Sequence, residues 1–424
     1  MNMLDIIRKK RDQAELNHEE IRFWIEGYTQ GRIPDYQSAA MLMAIYLRGL
    51  SKNETVELTL AMRDSGLKLD LSDIEGIKAD KHSTGGVGDK TTLIVAPILA
   101  AAGLKVAKMS GRSLGFTGGT IDKLESINGF RVGLNRQEFI EQLNHCGVAL
   151  MGQTAELAPA DKLLYALRDA TATVESTPLI AASIMSKKLA VGADVLVLDV
   201  KYGSGAFFKT IEAANEAAAL MVEIGQTAGQ KAAAIISSME QPLGRAVGNA
   251  LEVAEAWQTL CCQGPDDLRE LSLDLAAEAI VLGDLSPDKA LARAKAQELL
   301  DKGLARAKFI EMVKAQGGDS DFSHLPQAAL RIPFTAPKSG YICALHANIV
   351  GRAALALGAG RLVKEAIIDH SAGILLQHKV GDYVQEGECI AMLHGNDNNR
   401  LQEANALMAR SVFIETTAPP NLIS

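Results

Sequence analysis

Glycine, hydroxyl residues and lysine crowd into two short stretches of this chain. The first is Lys81-His82-Ser83-Thr84-Gly85-Gly86-Val87-Gly88. The second is Lys108-Met109-Ser110-Gly111, followed by Thr117-Gly118-Gly119-Thr120. Glycine lets a backbone approach a ligand closely and adopt positive φ, so successive N–H groups can converge on one anion. Serine, threonine and lysine add hydroxyl and ammonium donors for the same oxygens. The apolar segment after the first loop, if helical, would aim its positive end at that anion. The combination reads as a phosphate cradle built from two loops. A purely structural glycine turn is the plainer reading, but the cluster occurs twice, each time with its own lysine and serine. Two nucleotide motifs fail. A P-loop needs glycine before Lys-[Ser/Thr], whereas Asp89 precedes Lys90-Thr91 and would repel a triphosphate. Gly85-Gly86-Val87-Gly88 also has the wrong spacing for G-x-G-x-x-G.

The elements that must carry these loops change character along the chain. Residues 1–65 read as helices: Asn17 with Glu20 is a capping pattern, and Ile21, Trp24, Ile25 and Tyr28 recur at helical spacing. Pro34-Asp35 opens a helix with Met41, Leu42, Ile45 and Tyr46 on its apolar face, and Ser51 with Glu54 starts another. From about residue 76 strands, loops and helices alternate, which argues for an α/β layer with the loops at strand ends. Gly76 to Asp80 is read as extended before the first loop, and Lys105 to Met109 as a strand feeding the second. Thr91 to Ala102 reads as a helix that Pro97 should kink or break. Residues 153–190 interrupt this layer with two helices. One opens at Pro159 and carries Tyr165 and Arg168. The other is capped by Ser176 and places Ser183 and Lys187 four apart on one face. After residue 330, proline and glycine punctuate β-type runs.

At 424 residues two or three domains are expected, and 48% apolar residues can fill their cores. A net charge of −8 argues against a nucleic-acid surface. Five cysteines without a C-x-x-C pair favour reduced thiols over a disulfide framework or zinc site. The longest apolar run, Leu93 to Leu104, is short of the ~18 residues a membrane span needs. A cytoplasmic protein is the expectation.

Three segments, in order, carry a resemblance. DKHSTGGVGD, MSGR-x-LG-x-TGGT-x-DKLES and GQT-x-x-LAPADK-x-x-YA-x-RD-x-TATV resemble the thymidine and pyrimidine-nucleoside phosphorylases, and the likeness runs to the C-terminus. It implies an α/β fold of the class II nucleoside phosphorylase type. A helical pyrimidine-binding and dimerisation domain (1–65 and 160–192) would accompany a larger α/β phosphate-binding domain (70–155 and 193–330) and a C-terminal β-rich α+β domain (331–424). It also implies a homodimer and reversible phosphorolysis of uridine, deoxyuridine and thymidine to free base and pentose 1-phosphate. A strict thymidine phosphorylase, a phosphoribosyltransferase and a nucleoside-binding protein without turnover stand as alternatives.

By position in those motifs, the phosphate ligands fall on Lys81, Ser83, Thr92, Lys108, Ser110 and Thr120. The pyrimidine ligands fall on His82, Tyr165, Arg168, Ser183 and Lys187, with His82, Arg168 and Lys187 as catalytic candidates. Arg168 can alternatively pair with Asp161 or Asp169, and His82 can simply brace its loop. Closure about hinges near 66–80, 152–160 and 190–193 would bring the two sets together. No organic cofactor is implied. A monovalent cation, potassium, is implied beside Gly88, position 90, Leu243, Ala246 and Glu255. Position 90 is Lys90 where such relatives carry threonine, and an ammonium there can take the metal's place. Three further departures are Phe116 for a usual histidine, Ser113 for a common glycine, and Tyr202 for a smaller residue.

Overall fold

The computed structural model describes residues 1–112, 115–116, 118–154, 156–361 and 366–419, so Ser113 and Thr117 lie outside the described residues. The chain divides into two compact units. One comprises Met1–Asp73, Gln153–Leu196 and Asn215–Ala234; the other comprises Ile74–Gly152, Val197–Ala214 and Ile235–Ser424.

The first unit opens with helices Met3–Arg11, His18–Thr29, Asp35–Arg48 and Lys52–Asp64. Asn17/Glu20 and Ser51/Glu54 both form complete capping boxes, satisfying helix-end N–H groups reciprocally. Glu54 does more than cap. Its carboxylate accepts two hydrogen bonds of 2.8 Å from the buried Lys10 and one of 2.9 Å from the Leu16 amide. Trp24, Ile25, Met41, Leu42, Ile45 and Leu58 form the core, joined by Ala160, Leu164, Leu179 and Ala182. Helices Pro159–Ala170 and Thr177–Val191 are thereby fixed into the N-terminal bundle by apolar burial. Tyr46 departs from the expected apolar face and is 41% exposed, whereas Met41, Leu42 and Ile45 are buried. Ser176 stands at the helix N-cap without a side-chain capping bond.

The second unit holds most of a five-stranded sheet in the order β3-β2-β1-β4-β5, of which residues 195–196 and 231–234 are counted with the first unit. These strands are β1 (Lys78–Ser83), β2 (Lys105–Ser110), β3 (Val148–Gly152), β4 (Val195–Tyr202) and β5 (Lys231–Ser238). The pairs β1–β2 and β2–β3 are parallel. The chain therefore builds outward from β1 in one direction, then returns to add β4 on its other side. In open α/β sheets ligands bind beyond the strand ends where the order reverses, which is here between β1 and β4.

Helix Thr92–Ala102 follows the first loop and is buried from Thr92 through Ala100. Pro97 lies inside it, so the expected break does not occur. Helices Asp266–Leu282, Lys289–Asp301 and Leu304–Ala315 pack around it, and that packing outweighs the one backbone bond proline removes.

The C-terminal part holds β7 (Leu330–Thr335), β8 (Gly340–Leu345), β9 (Gly373–Leu376), β10 (Tyr383–Val384), β11 (Cys389–Gly395) and β12 (Val412–Glu415). With β6 (Ala246–Val247) they form sheets ordered β10-β8-β12 and β6-β9-β11-β7, against which helices Ala347–Leu357 and Asn398–Ser411 pack. The β6 strand is paired antiparallel with Leu375 and Ile374. The C-terminal sheet thus recruits a piece of the chain from well before residue 331.

Candidate active site

Strand β1 runs further than expected, so Lys81, His82 and Ser83 are strand residues rather than loop residues. Alternation along the strand directs Lys81 and Ser83 to one face and His82 to the other. Lys108 and Ser110 likewise end β2. Thr92 is the first residue of the buried helix and Thr120 the first of helix Thr120–Leu124, so the hydroxyls cluster at element starts and ends. Thr92 and Ser110 are buried, while the Ser83 hydroxyl accepts the Gly85 amide at 3.1 Å.

Each lysine of this cluster already faces a buried carboxylate. The Lys81 ammonium lies 3.4 Å from Asp199 and 4.0 Å from Asp89, and donates to the Thr91 hydroxyl at 2.5 Å. Lys108 donates to the Lys81 carbonyl at 2.7 Å and lies 3.4 Å from Asp80. Lys123 bonds the Asp89 carbonyl at 2.5 Å and pairs with Glu252 at 2.9 Å. Lys201 pairs with Asp199 at 2.9 Å and bonds Ser237 at 3.1 Å. Burial alone would raise the Asp89 carboxyl, but the charges of Lys81, Lys201 and Lys123 hold it well below its ordinary 3.8. Burial opposes the charged form of Lys201, and Asp199 and Asp89 outweigh it to raise the ammonium above its ordinary 10.5. The cluster is charge-compensated before any anion arrives.

Asp199, Lys201 and Thr91 were not among the residues singled out from sequence. The signal for the first two is a pair of charges at alternating positions in Val195-Leu196-Val197-Leu198-Asp199-Val200-Lys201, an otherwise fully buried strand. A charge is tolerated there only when paired. Lys201→Met is therefore expected to lower stability by about 3–5 kcal/mol, the cost of breaking a buried pair from one side. Asp89 contributes above pH 3.8 and loses its contribution as pH falls through its lower folded value. Lys201 contributes below pH 10.5 and loses it as pH rises through its higher folded value. The deficit of the variant in denaturant titrations should thus stay constant between about pH 5 and 9.

In the helical unit, Lys187 donates to Asp161 at 2.5 Å and to the Ser183 hydroxyl at 3.3 Å, so the expected shared face is present. Asp161 is 5% exposed, and its Oδ1 accepts no hydrogen bond among the described residues. From the sequence, Asp161 stands out only as a partner for Arg168. Neither Asp161 nor Asp169 takes that guanidinium. Its hydrogen bonds run to the carbonyls of Thr173 (3.3 Å), Val174 (2.5 Å) and Leu179 (3.0 Å), bracing a turn in which Ala172 has positive φ. These use three of the five guanidinium N–H groups. Burial, partly offset by Asp161, moves Arg168 below its ordinary value. Tyr165 is 43% exposed, with the Arg168 guanidinium carbon 5.9 Å from its ring centroid.

The cation set behaves differently from the expectation of potassium. The Lys90 ammonium donates to the carbonyls of Leu243 (3.0 Å) and Ala246 (2.9 Å) and pairs with Glu255. A side-chain cation fills the point on which these oxygens converge, so the residues present do not fit a metal ion. Phe116, where a histidine was usual, rests against the bare Cα of Gly351 in helix Ala347–Leu357. A Cβ at Gly351 would come within 2.9 Å of its ring. Tyr202 ends β4, and its carbonyl accepts the Met239 amide at 2.7 Å.

Comparison with known proteins follows this division. The glycosyl transferase family model for the a/b domain matches residues 75–306, and that for the helical bundle domain matches residues 4–66. The pyrimidine nucleoside phosphorylase C-terminal domain model matches residues 341–415. The chain is 51% identical to the pyrimidine-nucleoside phosphorylases of Staphylococcus aureus strains bovine RF122 / ET3-1 and MSSA476. Those matches cover 100% of the chain and 99% of each relative. A crystal structure of anthranilate phosphoribosyltransferase from Thermus thermophilus shares the fold, with a TM-score of 0.60 at 20% identity. It spans 74% of this chain and 99% of its own. With full-length identity this high and all three models matching in order, the chain belongs to the pyrimidine-nucleoside phosphorylase family.

Proposed function

We propose that the protein catalyses reversible phosphorolysis of pyrimidine nucleosides (uridine, deoxyuridine and thymidine) to free base and pentose 1-phosphate. The observation that carries this reading is the Lys187–Ser183 pair, an ammonium held by Asp161 and a hydroxyl one helical turn away. Lys187 can donate to O4 of a pyrimidine while the Ser183 hydroxyl accepts its N3–H. The lysines and hydroxyls at the ends of β1 and β2 would hold phosphate. A phosphate oxygen attacks C1′, and the bond to the base breaks with its electrons leaving on the pyrimidine. Lys187 and Arg168 meet the charge that develops on O4, Tyr165 lines the base, and His82 lies toward O2. Such donors act by being stronger in the transition state than before it.

Uridine, deoxyuridine and thymidine are each incubated with and without phosphate while free base is followed. Phosphate-dependent release from all three is expected. Release confined to thymidine would leave a strict thymidine phosphorylase. Release of base from uridine 5′-monophosphate with pyrophosphate, lost in EDTA, would point to a phosphoribosyltransferase. Binding without release would leave a nucleoside-binding protein.

The phosphate residues belong to one unit and Tyr165, Arg168, Ser183 and Lys187 to the other. Turnover in this reading requires the units to close, and a smaller radius of gyration in scattering with phosphate and a base is the expected sign. A homodimer through the helical unit fits Tyr36, Met43 and Leu47, which are exposed and share one helix face. Sedimentation velocity tests that. No described helix is long and apolar enough to cross a membrane, and a cytoplasmic location is part of the same proposal.

A further inference from the structure

The segment Pro242 to Val247 is gripped from two sides by ammonium groups. Lys90 takes the carbonyls of Leu243 and Ala246. Lys379 takes those of Pro242 (2.5 Å) and Gly244 (2.7 Å), and pairs with Asp267 at 2.9 Å. The Lys90 side chain is 0% exposed and its partner Glu255 5%. Glu255 is in turn fixed by the backbone amides of Arg245 (2.9 Å) and Ala246 (3.1 Å). An ammonium has three donors, and Lys90 has three acceptors, so its hydrogen bonding is complete within the protein.

Two glycines leave the room this arrangement needs. A Cβ at Gly244 would overlap the Glu255 carboxylate and lie 3.1 Å from the Lys90 nitrogen. A Cβ at Gly88 would lie 2.6 Å from the Leu243 carbonyl and 3.1 Å from that of Ala246. Both glycines have positive φ, at 73° for Gly88 and 67° for Gly244. The backbone is thus shaped so that two carbonyls and one carboxylate converge on a single positive charge.

That charge joins three parts of the unit. Lys90 lies two residues beyond the first glycine-rich loop, whose Val87 carbonyl accepts the Leu243 amide at 3.1 Å. Glu255 belongs to helix Asn249–Leu260. Ala246 is paired into the C-terminal sheet through β9. A cation at this point sets where the loop end, carrying Asp89 and Thr91, sits relative to Lys81. Two carbonyls and a carboxylate also form an all-oxygen acceptor set that could take a potassium or ammonium ion.

We propose that Lys90 is a tethered internal cation that frees this protein from any dependence on a dissolved monovalent cation. Replacing it with a short hydroxyl residue, as in Lys90→Thr, opens a cage that then needs potassium or ammonium. The activity arm of the test rests on the proposed phosphorolysis; the melting arm does not. Wild type, Lys90→Thr and Lys90→Met are exchanged into tetramethylammonium chloride, an ion too large for the cage. They are then titrated with potassium or ammonium chloride at constant ionic strength. Wild type should show the same melting temperature and the same phosphorolysis rate throughout. Lys90→Thr should melt about 5 °C or more lower in tetramethylammonium, because Glu255 is left buried and unpaired, and should recover saturably. Its phosphorolysis should fall and return with the same midpoint. Lys90→Met fills the space without charge and should not recover.

A wild-type melting temperature that rises saturably with potassium overturns the proposal without recourse to any variant. So does a Lys90→Thr protein that neither loses stability in tetramethylammonium nor responds to potassium or ammonium. Recovery of Lys90→Met equal to that of Lys90→Thr would show a general salt effect and also overturn it. If the melting arm behaves as stated while no variant or wild type releases base, the proposed phosphorolysis fails and the internal cation stands.

Discussion

Lys187→Ala is expected to lower kcat for phosphorolysis by about 10²–10³, the usual cost of deleting one donor aimed at developing charge. Asp161 is 5% exposed and holds Lys187 at 2.5 Å, so the ammonium is positioned before a base arrives. Position costs nothing at the moment of bond cleavage, and the donor strengthens as the pyrimidine gains charge. Removing it also leaves the Asp161 carboxylate facing the same region, where its charge opposes the departing base. Lys187→Ala should therefore lower kcat much more than it raises the KM for nucleoside. Asp161→Asn offers the separating measurement. It retains the ammonium but loosens it, so kcat should fall by less and Lys187→Ala/Asp161→Asn should recover part of the loss of the single variant. Steady-state rates with uridine decide this, and an unchanged kcat in Lys187→Ala removes Lys187 from the reaction.

What could be read from the sequence divides by range. Capping boxes at Asn17 and Ser51 are local, set by residues three apart, and both are present as read. The i, i+4 pair Ser183–Lys187 is local too. Polar side chains made Lys81, His82 and Ser83 look like loop, although they end a strand; charge is admitted there because Asp199 lies alongside, 118 residues further on in the numbering. Nothing near Lys81 in sequence announces that partner. Arg168 was legible as a buried cation but not as a brace, since its acceptors are carbonyls, which every residue carries. Pro97 does not end its helix: the cost of one missing hydrogen bond is known from sequence, whereas the helices packed around it are not. Lys90 is the opposite case: its residue type was suggestive, and only the convergence of Leu243, Ala246 and Glu255 gave it a definite job.

Lys81→Met should impair both phosphate use and stability, and the two effects have separable sizes. Its ammonium bonds Thr91 and lies 3.4 Å from Asp199, within a cluster where Asp89 is held strongly in its charged form. A hydrogen bond to a charged group contributes about 1.5–3 kcal/mol, so losing a phosphate ligand of this kind should raise the KM for phosphate roughly 10- to 100-fold. Asp199 keeps its nearer partner, Lys201 at 2.9 Å, whereas Lys201→Met leaves it only Lys81 at 3.4 Å, so the loss of stability should stay below the ~3–5 kcal/mol expected for that variant. Lys201→Met should show the reverse balance, with the larger loss in denaturant midpoint and the smaller change in phosphate KM, because the fully buried Lys201 ammonium is committed to Asp199 and Ser237. Measuring both quantities in both variants distinguishes a ligand from a brace. If Lys81→Met lowers the midpoint but leaves phosphate KM unchanged, Lys81 only supports the loop, and phosphate must be held by Lys108 and the hydroxyls of Ser83, Ser110, Thr92 and Thr120.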